Sequence, residues 1–183
     1  MNKINILPNQ QYLKECFTYL LDGTLKWNVR PIHHFKSTRG MNIWNARFPN
    51  MIAGCIDSKG YLGVTIDGKL YRSHRIIWKY HNGFDNLTEI DHIDNDRLNN
   101  RIENLREANR YQNNYNVKKH KDNSTGFKGV SYFKSTDKYR AQIKFQKKYF
   151  HLGYYNTPEQ AYDAYCAASI KHHKEFSNID SDE

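Results

Sequence analysis

The chain has 183 residues with 28 Lys+Arg against 19 Asp+Glu, a formal charge of +9, and only 38% hydrophobic residues. That length allows one domain or two small ones, and no stretch is apolar enough to span a bilayer. Aromatic residues at 14%, with 14 Tyr, argue for folded structure rather than a charged tail. The opening MNKINILPNQQ lacks an apolar core, so neither a signal peptide nor a membrane partner is expected, and a cytoplasmic location is. Cys16, Cys55 and Cys166 lie far apart with no CxxC pair, against a disulfide framework and against zinc. A basic, aromatic-rich chain of this kind points to nucleic acid as partner.

Taken in chain order, Gln11–Leu21 predicts a short helix, followed by an extended stretch Thr24–Val29 around Trp27. His33–Asn50 has no clear period and reads as loop, with His33-His34 on the surface. Tyr61–Ile66 alternates, and Asp67-Gly68 supplies a two-residue turn into Lys69–Ser73 because both residues tolerate positive φ. Arg75–His81 predicts a helix with Ile76, Ile77 and Tyr80 inward and Asn82-Gly83 as its C-terminal signal; His74 at its start reads as structural.

Asp91-His92-Ile93-Asp94 is followed by an Asn-rich loop, Asn104-Leu105, and then Asn109-x-x-Gln112-Asn113. Asn109 can cap a helix whose third residue is Gln112. Asp94 and Asp96 read as makers of Asx turns rather than as ligands. Phosphodiester hydrolysis needs an activated water and a cation for the charge on phosphate and leaving oxygen. An imidazole with a pKa near ~6.5 can take the proton. A carboxylate and an amide oxygen suit Mg²⁺, or Mn²⁺. His92 as base with Asp91 and Asn113 as ligands is therefore chemically coherent. Adjacent strand residues point to opposite faces, so the strand must end, twist or bulge there if Asp91 and His92 are to serve one phosphate.

The segment IDHIDNDRLNNRIENLREANRYQN resembles the ββα-metal motif of HNH endonucleases, in the branch of phage and intron homing enzymes. The preceding GYLGVTIDGKLYRSHRIIWKYHNG is similar to the hairpin and helix that accompany it. The resemblance implies that His92 is the general base, that Asp91 and Asn113 bind one divalent cation, and that Asn104 pins the loop presenting His92.

Lys118–Thr125 is polar and aperiodic, the best linker candidate. Beyond it, Gly126–His151 holds seven cations against Asp137 alone. Val130–Phe133, Tyr139–Phe145 and Tyr149–Leu152 predict three strands, the middle one apolar on one face and cationic on the other. Thr157, Pro158 and Gln160 form a helix start, and Ala161, Ala164, Tyr165 and Ala168 form the stripe of a helix to about His172. The segment 126–178 is similar to the plant Apetala-two (ethylene-response-factor) DNA-binding domain, through Gly129-Val130, Arg140-Ala141, Leu152-Gly153 and Thr157-Pro158-Glu159-x-Ala161. That family lays its sheet in the DNA major groove. The resemblance implies that Lys128, Ser131, Lys138, Arg140, Lys144, Tyr149 and His151 face DNA.

The expectation is an α+β protein with an HNH nuclease domain over 1–116 (motif about 89–116), a linker over 117–125, and a three-stranded antiparallel sheet on one helix over 126–179. The function expected is metal-dependent cleavage of double-stranded DNA by a homing or mobile endonuclease, without a small-molecule cofactor; monomeric action is compatible with it. The alternatives are a transcription regulator with a silent nuclease domain and a nuclease of low specificity.

Overall fold

A computed structural model describes residues 6–84, 89–119 and 122–179. The chain is α+β and divides into two compact units, Met1–Glu107 and Ala108–Glu183. Residues 120 and 121 of the expected linker lie outside the described residues.

In the first unit Asn9 caps helix α1 (Gln10–Cys16) by accepting the Tyr12 N–H at 2.8 Å. The helix is shorter than its apolar pattern predicts. Phe17–Tyr19 leaves it as strand β1 and pairs antiparallel with β2 (Leu25–Trp27), Phe17 opposite Trp27. Aromatic and β-branched residues favour the ladder once a partner strand is present. A second departure is helix α2 (Thr38–Arg47), inside the segment expected to be loop. None of its residues is buried, so it carries no apolar stripe to read. It is held from outside. The Ser37 hydroxyl accepts the Gly40 N–H, Trp44 meets Trp27 edge to face at 5.1 Å, and the Asn45 amide bonds both N–H and C=O of Arg30.

Strands β3 (Cys55–Ile56), β4 (Leu62–Ile66) and β5 (Lys69–Arg72) form an antiparallel sheet, and Asp67 and Gly68 turn β4 into β5 with φ of 49° and 76°. Helix α3 (Ser73–Asn82) follows and ends on Gly83 in the left-handed region. Ile76 and Ile77 are fully buried with Leu13, Phe17, Leu25 and Ile66. Each such side chain contributes about 1.5–3 kcal/mol of transfer free energy. Tyr80 packs against this core only in part. Strands β6 (Glu89–His92) and β7 (Leu105–Ala108) pair, and a 3-10 turn, Ile102–Asn104, leads into β7.

In the second unit helix α4 (Arg110–Tyr115) starts at a full capping box between Asn109 and Gln112. Strands β8 (Val130–Phe133), β9 (Lys138–Phe145) and β10 (Lys148–Tyr155) form one antiparallel sheet in the order β10-β9-β8. Helix α5 (Pro158–His173) covers one face, Thr157 accepting the Gln160 N–H at its start. Ala161, Tyr165 and Ala168 bury against Val130, Ala141 and Ile143. Gly129 makes that approach possible. It holds φ +75°, and a Cβ there would stand 2.1 Å from the Tyr165 ring. The end of the polar stretch read as linker is structured. Asn123 accepts the Thr125 N–H and donates to the Phe127 carbonyl, and the Thr125 hydroxyl bonds the Val130 carbonyl.

Candidate active site and nucleic-acid interface

Asp91 and His92 close strand β6, which ends at His92, and both side chains are buried. The His92 Nε2 lies 3.0 Å from the Asn100 Oδ1. Asn100 is itself buried and donates its amide to the Leu98 carbonyl, which fixes its oxygen toward the ring. An amide oxygen only accepts, so Nε2 carries the proton. In the neutral ring the lone pair then sits on Nδ1. The His74 ring meets His92 edge to face at 5.0 Å, and Tyr61 lies 5.6 Å from His74. Burial, with the nearby His92, pushes the His74 pKa down to about 3, so this second imidazole is neutral.

Asp91 turns to another partner. Arg106, across on β7, donates from Nε at 3.0 Å and from Nη2 at 2.9 Å, both to Oδ2. The Arg106 and Asp91 side chains are 15% and 7% exposed, so the charges meet with little solvent between them.

The loop after His92 is built on Asn104. Its Oδ1 accepts the Asp94 N–H at 3.2 Å, and its Nδ2 donates to the Asp94 carboxylate and to the Asn99 carbonyl. The Asn104 carbonyl also accepts the Ile93 N–H. Asp94 and Asp96 each accept the backbone N–H two residues on, which makes both Asx turns. Burial opposes ionisation of Asp94, but the Asn104 and Asn99 bonds outweigh it and hold its pKa below the ordinary value. The first unit thus holds Asp91 and His92 on β6 and Asn104 at the entry to its partner strand β7, with the Asp91 and His92 side chains on different partners. Asn113 stands on α4, in the second unit, half-buried.

One group of His, Asp, Glu or Cys ligand atoms among the described residues is close enough to hold a metal ion, and it lies elsewhere. Glu15, His33 and His34 place one ligand atom each within 4.8 Å of the others. The His34 side chain is fully enclosed rather than on the surface as expected. Both Nε2 atoms reach the same Glu15 oxygen, at 2.8 Å and 2.7 Å. Arg30 donates its Nε to the His34 Nδ1 at 3.1 Å, so the His34 Nε2 must carry the proton it gives to Glu15. No lone pair is left there for a metal. The cluster is a hydrogen-bonded carboxylate; contacts to Gln11 and His33, with His34, pull the Glu15 pKa down to about 2.

In the second unit the sheet face away from α5 is ordered by register, since residues directly opposite in an antiparallel pair share a face. Arg140 faces Ser131 on one side and Tyr154 on the other; Lys144 faces Tyr149, Gln142 faces His151, and Lys138 faces Phe133. Ser131, Lys138, Arg140, Lys144, Tyr149 and His151 therefore share this face. The Arg140 guanidinium lies 5.7 Å from the Phe133 ring centre and the Lys144 ammonium 5.2 Å from that of Tyr149. The Arg140 Nε and the Ser131 Oγ, buried and neighbouring in the ladder, have no hydrogen-bond partner among the described residues.

Lys128 departs from the expectation that it faces DNA. Its ammonium donates to the carbonyls of Tyr115, Val117 and Asn178, at 2.9, 2.6 and 3.3 Å. Three acceptors inside the unit hold the charge that was expected to face DNA.

Sequence reasoning did not find Asn100, Arg106, Phe133, Gln142 or Tyr154. Asn100 is one of several asparagines in its loop. Tyr154 is hidden by a bulge between His151 and Gly153, which puts Leu152 out of register and brings Tyr154 onto the outer face, 4.7 Å from His151 and 5.4 Å from Phe133. A glycine inside a strand is the available signal for such a bulge.

Comparison with known proteins agrees with both segments. A family model described as HNH endonuclease matches residues 71–115, and one described as AP2 domain matches 125–175. Protein 3.8 of Escherichia phage T7 is 36% identical over 81 residues, which cover 44% of this chain and 67% of that protein. No solved structure matches. At that identity and coverage the chain belongs to the family of the phage T7 protein, and it carries an HNH endonuclease domain followed by an AP2 domain.

Proposed function

We propose that the chain is a divalent-metal-dependent DNA endonuclease of the phage homing type, with His92 as general base. Asp91 and Asn113 hold the cation and Asn104 braces the loop that presents His92. The observation that carries this reading is the His92–Asn100 bond, inside the segment matched as HNH endonuclease. It commits Nε2 as donor and makes Nδ1 the basic nitrogen. That nitrogen takes a proton from the attacking water. Asp91 and Asn113 offer oxygen donors, the set a hard cation such as Mg²⁺ or Mn²⁺ prefers over zinc. When bound, the cation supplies charge stabilisation at the phosphate and leaving oxygen. The element order β6, β7, α4 supports the ββα reading of the motif.

The outer face of the β10-β9-β8 sheet docks on double-stranded DNA and chooses the site. Ser131, Lys138, Arg140, Lys144, Tyr149 and His151 take part, joined by Phe133, Gln142 and Tyr154. Lys128 is left out because its ammonium is held by carbonyls. We keep the assignment of 1–116 to the nuclease, 117–125 to the connection and 126–179 to the sheet domain. Helix α4, by contrast, is structurally part of the second unit. Among the described residues no helix is long and apolar enough to cross a membrane.

One observation favours the rival reading, a DNA-binding regulator with a silent nuclease: Arg106 already neutralises Asp91. Incubation of the full chain with supercoiled phage DNA and Mg²⁺ separates the two. Nicking that stops in EDTA, and that falls by about 10²–10⁴-fold in His92→Ala with DNA affinity retained, is the expected result. Cleavage in chelator, or at full rate without His92, overturns the mechanism; no cleavage at any Mg²⁺ or Mn²⁺ concentration supports the regulator.

A further inference from the structure

Helix α4 has six residues, far too few to be stable on its own. Something outside it must hold it, and the contacts that do so come from the sheet domain. Tyr115, its last residue, lies flat on His173, ring centres 3.9 Å apart and planes 6° from parallel. His173 is buried and cannot turn. Its Nε2 donates to the Lys144 carbonyl at 3.0 Å and its Nδ1 meets the Ser169 hydroxyl at 3.2 Å. The Tyr115 hydroxyl accepts the Gln146 N–H at 3.0 Å. Gln146 and Lys147 make the tight β9–β10 turn, both with positive φ.

The end of the helix is tied as firmly. A helix C-terminus leaves carbonyls without intrahelical partners and carries partial negative charge. Here the Lys128 ammonium takes the Tyr115 and Val117 carbonyls, and the Asn178 amide takes the Asn116 carbonyl at 2.6 Å. Three successive carbonyls are thus held by side chains from 128 and 178. Asn113 is two positions before Tyr115, roughly 200° around the helix, so it lies on the side away from this seat.

We propose that Tyr115 is a positioning residue for Asn113. Its stack on His173 and its bond to the β9–β10 turn fix the helix that presents the Asn113 amide. The proposal rests on the reading of Asn113 as a cation ligand.

The test uses the full chain as wild type, Tyr115→Ala, Tyr115→Phe and Asn113→Ala. Three quantities are measured: the Mg²⁺ concentration for half-maximal single-turnover cleavage, DNA affinity in EDTA, and hydrogen–deuterium exchange of the amides over 109–117. Tyr115→Ala is expected to raise the Mg²⁺ requirement about tenfold or more, the size of effect seen when a ligand's support is removed. DNA affinity stays within about threefold, and the α4 amides exchange roughly tenfold faster. Tyr115→Phe keeps the stack and recovers most of the Mg²⁺ affinity. An unchanged Mg²⁺ requirement with unchanged α4 exchange in Tyr115→Ala overturns the proposal. So does a parallel loss of DNA affinity and cleavage, which makes Tyr115 a general structural residue. If Asn113→Ala leaves the Mg²⁺ requirement untouched, the ligand reading fails instead; the exchange measurement then decides alone whether Tyr115 holds α4.

Discussion

The His92 Nε2 and the Asn100 Oδ1 stand 3.0 Å apart, with both residues buried. This bond selects the tautomer of the ring and its angle in the site. Removing the acceptor leaves the ring in place but frees its orientation. Asn100→Ala is therefore expected to slow cleavage by about 10–100-fold while leaving DNA affinity and the Mg²⁺ requirement near wild type. Single-turnover rates across a Mg²⁺ titration check this. A rate equal to wild type would show that the base is oriented by something else.

The Arg106–Asp91 pair gives a second test. Breaking a buried ion pair from one side costs about 3–5 kcal/mol, because the remaining charge stays buried. Arg106→Met is expected to lower the urea midpoint accordingly. If Asp91 is also a cation ligand, added Mg²⁺ should raise the melting temperature of Arg106→Met more than that of the wild type, since ligand binding stabilises the folded state by mass action. Equal Mg²⁺ shifts in the two proteins would remove Asp91 from the ligand set.

On the sheet face, charge and stacking can be separated. Each cation that neutralises a phosphate contributes about one unit to the slope of log affinity against log salt. The double variant Arg140→Ala with Lys144→Ala is expected to reduce that slope by about two. Tyr154→Ala should weaken binding with no change in slope, because a ring contributes contact without charge. Lys128→Met should leave the slope unchanged, its ammonium being held by the Tyr115, Val117 and Asn178 carbonyls. A drop of one unit for Lys128→Met would restore it to the DNA-facing set.

Several histidines are kept neutral by the fold, and this predicts acid sensitivity above the carboxylate range. Burial lowers the pKa of His34 and His173, and that of His74 from 6.5 to about 3. Below pH 6.5 the unfolded chain binds protons that the folded chain does not, so stability falls as pH drops from about 6.5 toward 3. Glu15, depressed from 4.5 to about 2, adds a further loss below pH 4.5. Urea midpoints at pH 7, 5.5 and 4 are expected to decline steadily. A flat profile from pH 7 to 5 would contradict the buried neutral histidines.

What the sequence made legible was local. The Asp67-Gly68 turn, the Gly83 helix end, the Asn109–Gln112 capping box and the Thr157 helix start are each specified by residues within a few positions of one another. The alternation in Tyr139–Phe145 likewise read correctly as an apolar face, with Ala141 and Ile143 buried, and a cationic one, with Lys144 exposed. What stayed hidden depends on partners distant in the chain. Helix α2 has no apolar stripe and is secured by Trp27 and Arg30. Strand β1 exists because β2 pairs with it. The Arg106 contact with Asp91 crosses between strands, and a lysine promised to DNA is captured by backbone carbonyls 11 and 50 residues away. Composition and spacing carry no record of such meetings.

The allotment of α4 to the second unit also bears on recombination. The two matched segments suggest a natural cut anywhere between residues 115 and 125, where a recognition domain could be exchanged for another. A chimera joined there would keep α4 while discarding His173, Gln146, Lys128 and Asn178, the residues that hold it. The exchangeable cassette begins at Ala108, so a swap that preserves the helix must carry the end of the nuclease motif along with the DNA-binding sheet.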